Sequence, residues 1–231
     1  MKIHNNHAEE AIQNVWVYKG SEELFHINIH SLAEKVLSYK GSSEWTALNY
    51  HKCSICPLNS SQHGHCPAAV VFHEALAGFK HLDSYDLLTI KIEDRLSRHT
   101  SMTLDAQQAA HIILRSTIFL SPCPILEKFN NTIFGLNPLA TENEFFSHFI
   151  AKSLLMNSSN KESTLNYVQN AVEELNEVNF CLSKRLKNSA ENGDALINAI
   201  VINDFLWKGI DIFFEEVYEQ LSINNLVKKA L

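Results

Sequence analysis

Cys53 and Cys56 form a Cys-x2-Cys pair, Cys66 follows in His65-Cys66-Pro67, and Cys123 stands in Ser121-Pro122-Cys123-Pro124. Pro57, Pro67 and Pro124 directly follow three of these four cysteines. The chain has only five cysteines in 231 residues. Four thiols able to converge in such a chain suggest a tetrahedral thiolate site, and all-sulfur ligation selects zinc or iron–sulfur. Zinc is the first expectation, because Cys53-x2-Cys56 can make a tight knuckle while Cys66 and Cys123 are supplied from helix starts. Such a metal would pin the irregular 51–66 loop to the helical half, where apolar residues are too few to do so. An iron–sulfur cluster is the second expectation, since Cys-Pro pairs recur beside cluster ligands, although 53, 56, 66, 123 is not a ferredoxin spacing. The third reading has no metal: Cys123 is a small buried hydrophobe and Cys53 with Cys56 a redox dithiol, with no thioredoxin-like βαβ pattern around them.

Histidines are numerous, twelve in all. His51 and His65 flank the cysteines and are candidates to replace one ligand or to support the site from outside it, whereas His63 reads as an exposed loop residue. Cys181, in Phe180-Cys181-Leu182, reads as core. No G-x-S-x-G, P-loop, G-x-G-x-x-G or H-E-x-x-H motif occurs. The Glu173-Glu174 and Glu215-Glu216 pairs read as ordinary solvated helix carboxylates. Enzymatic activity is therefore not the expectation. The expected function is that of a metal-binding protein of regulatory or protein-interaction type. An iron–sulfur redox or gas-sensing protein, or a small-molecule binder with a pocket between sheet and helices, is the alternative.

The elements that must position these thiols are legible from periodicity. Val15 to Tyr18, a turn at Lys19-Gly20-Ser21, and the alternation from Leu24 to Ile29 read as a hairpin. Leu87 to Ile92 alternates as a third strand, and a three-stranded antiparallel sheet with one polar face is the simplest assembly. Trp45 to Tyr50 reads as a short helix leading into the cysteine loop. Pro67 suits the first position of a helix over 67–80, which sets Cys66 at a helix N-terminus where the dipole favours a thiolate. Further helices are expected over 104–120, 124–131, 142–156 (with Thr141 and Glu144 as a capping box) and 162–188. The last helix carries Leu196, Ile200, Asn203, Trp207, Ile210, Phe214, Val217 and Leu221 in steps of four and three. That seam, over 196–221, would pack on helix 162–188 or form a homodimer. The fold class is thus α+β: a small antiparallel sheet of about three strands with a cysteine-rich loop, then a mainly helical C-terminal half. Residues 1–100 and 101–231 form two regions of what is expected to be one continuous domain.

Composition narrows the function classes. A 45% apolar chain with seven glycines and five prolines can bury a core. With 19 basic against 26 acidic side chains the formal charge is -7, which disfavours a protein built to grip nucleic acid. The expected partner is a protein, of unknown identity. Residues 1–14 hold no uninterrupted apolar run, so the expected location is the cytoplasm, where thiols stay reduced. The apolar window 195–214 contains Asp204, Lys208 and Asp211, so it reads as a buried helix and not a membrane span.

Trp45-Thr46-x-Leu48, His51-x-Cys53-x2-Cys56-Pro57-Leu58, His65-Cys66-Pro67-Ala68-Ala69 and the Cys123-Pro124 pair resemble a family of uncharacterised bacterial proteins. The likeness runs over about residues 15 to 210. The family carries Ser-Gly-Cys-Pro where this chain has Ser121-Pro122-Cys123-Pro124. It carries His-Leu-Pro-Phe-Ala where this chain has Leu136-Asn137-Pro138-Leu139-Ala140. The resemblance implies that the four cysteines belong together, and it implies no reaction.

Overall fold

The computed structural model describes residues 12–189, apart from 95, 96, 134, 138 and 157–160. Four antiparallel strands form one sheet: β1 (Asn14–Lys19), β2 (Glu22–Asn28), β3 (Leu87–Glu93) and β4 (His99–Asp105), in the order β2-β1-β3-β4. Six helices accompany it: α1 (Ile29–Ser38), α2 (Pro67–Leu76), α3 (Ala106–Ile118), α4 (Asn130–Ile133), α5 (Glu142–Met156) and α6 (Lys161–Ser189). The chain is therefore α+β, with four strands where three are expected.

The hairpin closes through Gly20-Ser21, flanked by the pair Lys19↔Glu22. Gly20 has φ 63°, the left-handed conformation that a two-residue hairpin loop needs and glycine adopts without strain. β1 then pairs β3, and β3 pairs β4 from Leu87↔Asp105 to Glu93↔His99. Strand alternation sends Val15, Val17, Ile27, Leu88, Ile90, Ile92 and Leu104 to one face, where all are buried under the helices. The other face is polar, with Trp16 at its centre. The Trp16 ring stacks on His26 at 5.0 Å, and the Lys91 ammonium lies 5.5 Å from its centroid. β4 escapes the sequence pattern because its first five residues are exposed and only Leu104 reaches the core.

Helix α2 is buried along most of its length, from Ala68 to Phe72 and again at Ala75 and Leu76. It packs against α1, α3 and α6. Pro67 occupies its first position and Cys66 is its N-cap residue, as the sequence implies. The helix stops at Leu76, before a 3-10 turn over Ala77–Phe79. At α3, Asp105 is the N-cap, and its carboxylate accepts from the Gln108 amide at 2.7 Å. The capping box of α5 forms: the Thr141 amide and hydroxyl donate to Glu144, and the Glu144 amide donates back at 3.3 Å. α6 turns Val168, Ala171, Leu175, Val178, Leu182 and Leu186 inward. Among the described residues, no helix is long and apolar enough to cross a membrane. The expected 196–221 helix, with its dimer seam, lies outside the described residues.

Candidate functional site

The cysteine-bearing segments reach one another because backbone pairing holds them there. A 3-10 turn, Glu44–Thr46, stands where a short helix is expected, and the chain then runs extended beside the segment preceding α2. Ala47 bridges His65 antiparallel, the Leu48 amide donates to the Gly64 carbonyl at 2.9 Å, and the Cys66 amide donates to Thr46 at 2.8 Å. Those bonds fix Cys66 at the start of α2. Between these paired segments the chain makes its excursion through Cys53 and Cys56. His51 turns it with φ 43°, and the Cys56 amide donates to the Cys53 carbonyl at 3.1 Å, closing a tight turn. Cys123 enters after α3, buried, with its carbonyl accepting from the Glu127 amide at 2.9 Å.

One stripe of α6 clamps this excursion. Glu177, Cys181 and Arg185 follow at intervals of four, so they share a helix face. Glu177 Oε1 accepts from the Ser54 amide at 2.6 Å and the Ser54 hydroxyl at 2.8 Å. Cys181 Sγ donates to the same oxygen at 3.7 Å and also interacts with the Cys53 thiol. Arg185 is 1% exposed and spends its guanidinium on backbone: Nη1 donates to Trp45 at 2.8 Å and Ala47 at 2.7 Å, and Nη2 donates to Leu48 at 3.0 Å. Its Nε has no hydrogen-bond partner among the described residues. Replacing Glu177 with alanine is expected to cost about 1 kcal/mol, because the anchoring carboxylate is partly solvated. Amide exchange at Ser54 should accelerate in that variant; an unchanged rate would show that the clamp does not hold the loop.

All five cysteines are free thiols, and they sense one another electrostatically. Cys53 interacts with Cys181, Cys66 and Cys123; Cys66 with Cys56; and Cys123 with both Cys66 and Cys56. Such influence reaches well beyond contact: it links the four cysteines, with Cys181 as a fifth member, but among the described residues they do not form a group that could hold a metal ion. Burial dominates at Cys66 and Cys123. It pushes the Cys66 thiol up, against the pull of Arg185 and of the Ala69 and Ala68 amides at the helix start. The helix N-terminus expected to favour a thiolate at Cys66 is present but is outweighed by desolvation. Cys123 is pushed up to about 11, chiefly by burial. Cys53 is raised and Cys181 lowered, both first of all by their mutual interaction. Glu177 is held below the ordinary carboxylate range by the Ser54 amide, then by its hydroxyl.

The two histidines are engaged elsewhere. His65 Nδ1 lies 3.0 Å from Thr46 Oγ1, and its ring meets Tyr39 edge-on at 4.9 Å. His51 is exposed and packs edge-on against Tyr50 at 4.8 Å. Among the described residues, no three His, Cys, Asp or Glu side chains form a group that could hold a metal ion.

A family match spans residues 16–224, over nine-tenths of the chain. The chain belongs to the family of the domain of unknown function DUF6901. The expected membership of an uncharacterised family covering most of the chain is thereby met. No curated protein and no solved structure matches the chain. Cys181 and Arg185 are the residues that sequence reasoning missed. The available signal is a charged residue and a thiol four apart, in line with Glu177, on the stripe of α6 nearest its apolar face.

Proposed function

We propose that this DUF6901 protein holds an iron–sulfur cluster through Cys53, Cys56, Cys66 and Cys123 and acts in one-electron redox chemistry or its sensing. What supports the reading is the sequence pattern, a Cys-x2-Cys pair with two further cysteines, three of the four followed directly by proline. The four thiols come from three separate segments and influence one another electrostatically.

Charge supports the same reading. Among the described residues, the fully buried Arg185 cation bonds only to neutral carbonyls, with Cys66 and Cys181 near enough to feel its charge. Burying an uncompensated charge is costly, and ionised thiols would supply the missing negative charge. Ser121 Oγ, two residues before Cys123, is likewise buried without a partner among the described residues. Such donors near cluster sulfurs tune the reduction potential. When bound, the cluster supplies the one-electron couple; the protein supplies four soft ligands, a buried cation and a loop clamped to α6.

A second reading, a structural zinc, is favoured by the Cys53–Cys56 turn alone, which has the form of a zinc knuckle. The absorption spectrum of anaerobically purified, untagged protein separates the two. A broad band near about 400 nm that bleaches with dithionite is expected. A colourless protein containing zinc would replace the cluster reading with the structural one.

A further inference from the structure

Cys53 and Cys181 form a pair that the grouping of Cys53 with Cys56, Cys66 and Cys123 does not use. Ser54, the next residue after Cys53, is fixed by two bonds to Glu177 Oε1, at 2.6 and 2.8 Å. One turn further along α6, Cys181 Sγ donates to that same oxygen at 3.7 Å. A single carboxylate oxygen therefore holds together the turn that carries Cys53 and the helix face that carries Cys181. Through that oxygen the two thiols come near enough to influence each other, and neither is in a disulfide. Cys53 is partly open to solvent, whereas Cys181 is 6% exposed. A small oxidant can thus reach the outer thiol, and the inner one waits beside it.

We propose that Cys53 and Cys181 are a site of reversible oxidation by hydroperoxides, which closes a disulfide between the cysteine loop and α6. The Cys53 sulfur bonds to the terminal peroxide oxygen and the O–O bond breaks. The thiol proton passes to the departing oxygen, giving an alcohol, or water from hydrogen peroxide. Cys181 sulfur then bonds to Cys53 sulfur, the S–O bond breaks, and hydroxide leaves with the Cys181 proton as water. In sum, two thiols lose two electrons and two protons, and the peroxide is reduced by two electrons. The existing proximity lowers the entropic cost of closure, because the fold has already brought the two residues together from distant positions in the chain. The pairing concerns the metal-free chain and goes beyond the cluster reading. Only its consequence, that oxidation withdraws Cys53 from the four ligands, rests on that reading.

The reduced full-length chain, kept with iron and zinc chelators, is treated with about one equivalent of hydrogen peroxide, alkylated and digested without reductant. The Cys53–Cys181 linked peptide should be the principal disulfide product, and dithiothreitol should restore all five free thiols. In Cys181→Ser, Cys53 should instead accumulate as a sulfenic acid trapped by dimedone. A dominant Cys53–Cys56 linkage, or five thiols persisting after peroxide, would overturn the proposal. So would equal thiol loss in wild type and Cys181→Ser. Each result is independent of whether the protein as isolated carries iron, so this pairing and the cluster reading can fail separately.

Discussion

Replacing Arg185 with methionine is expected to destabilise the metal-loaded protein by about 3–5 kcal/mol, a fall in melting temperature of about 10 °C. Two losses combine. The carbonyls of Trp45, Ala47 and Leu48 lose their shared donor in a buried site. The ionised thiols lose a buried cation at their side. In protein stripped of metal the same substitution should cost clearly less, because it then also removes a charge without a counter-ion. Urea unfolding of both variants, loaded and stripped, measures the difference. Equal costs in the two states would mean that Arg185 serves the backbone alone. Lysine is expected to rescue little, since a single ammonium cannot reproduce the planar fork that spans three carbonyls.

Cys66→Ser carries the second large effect. Serine is nearly isosteric, and the residue keeps its role as N-cap of α2, where serine is a favoured type. The stripped protein should therefore lose about 1 kcal/mol or less. The loaded protein should lose the cluster and its visible absorbance, with a drop of about 10 °C or more in melting temperature, because ligand binding energy is folding energy. Cys181→Ser, by contrast, should keep the absorbance. If the two serine variants behave alike, the four-ligand assignment is wrong.

Much of this was legible from the residues. Alternation from Asn14 to Asn28 and from Leu87 to Glu93 marks three strands, because each buries one face only. Pro67 and Thr141 mark helix starts through their own backbone chemistry. β4 was hidden because an edge strand with five exposed residues has no apolar alternation to show. α1 was hidden behind β2: Asn28 ends the strand and caps the helix, accepting from the Ser31 amide at 2.9 Å, so the apolar pattern runs on without a break at Ile29. The Cys53-x2-Cys56 pair and the prolines after Cys56, Cys66 and Cys123 were legible as a pattern, and the grouping of the four rests on that pattern. Cys181 was not legible, since a thiol between Phe180 and Leu182 looks like core until the loop is seen against it. Ionisation at Cys66 was misjudged for a similar reason: helix position is local and visible in sequence, whereas burial is tertiary.

The central claim, that four of the thiols hold an iron–sulfur cluster, is tested most directly by counting iron, acid-labile sulfide and zinc per chain in anaerobically purified protein. The account predicts equal iron and sulfide, about two or about four of each, and almost no zinc. About one zinc per chain without sulfide, or no metal of any kind, would contradict it.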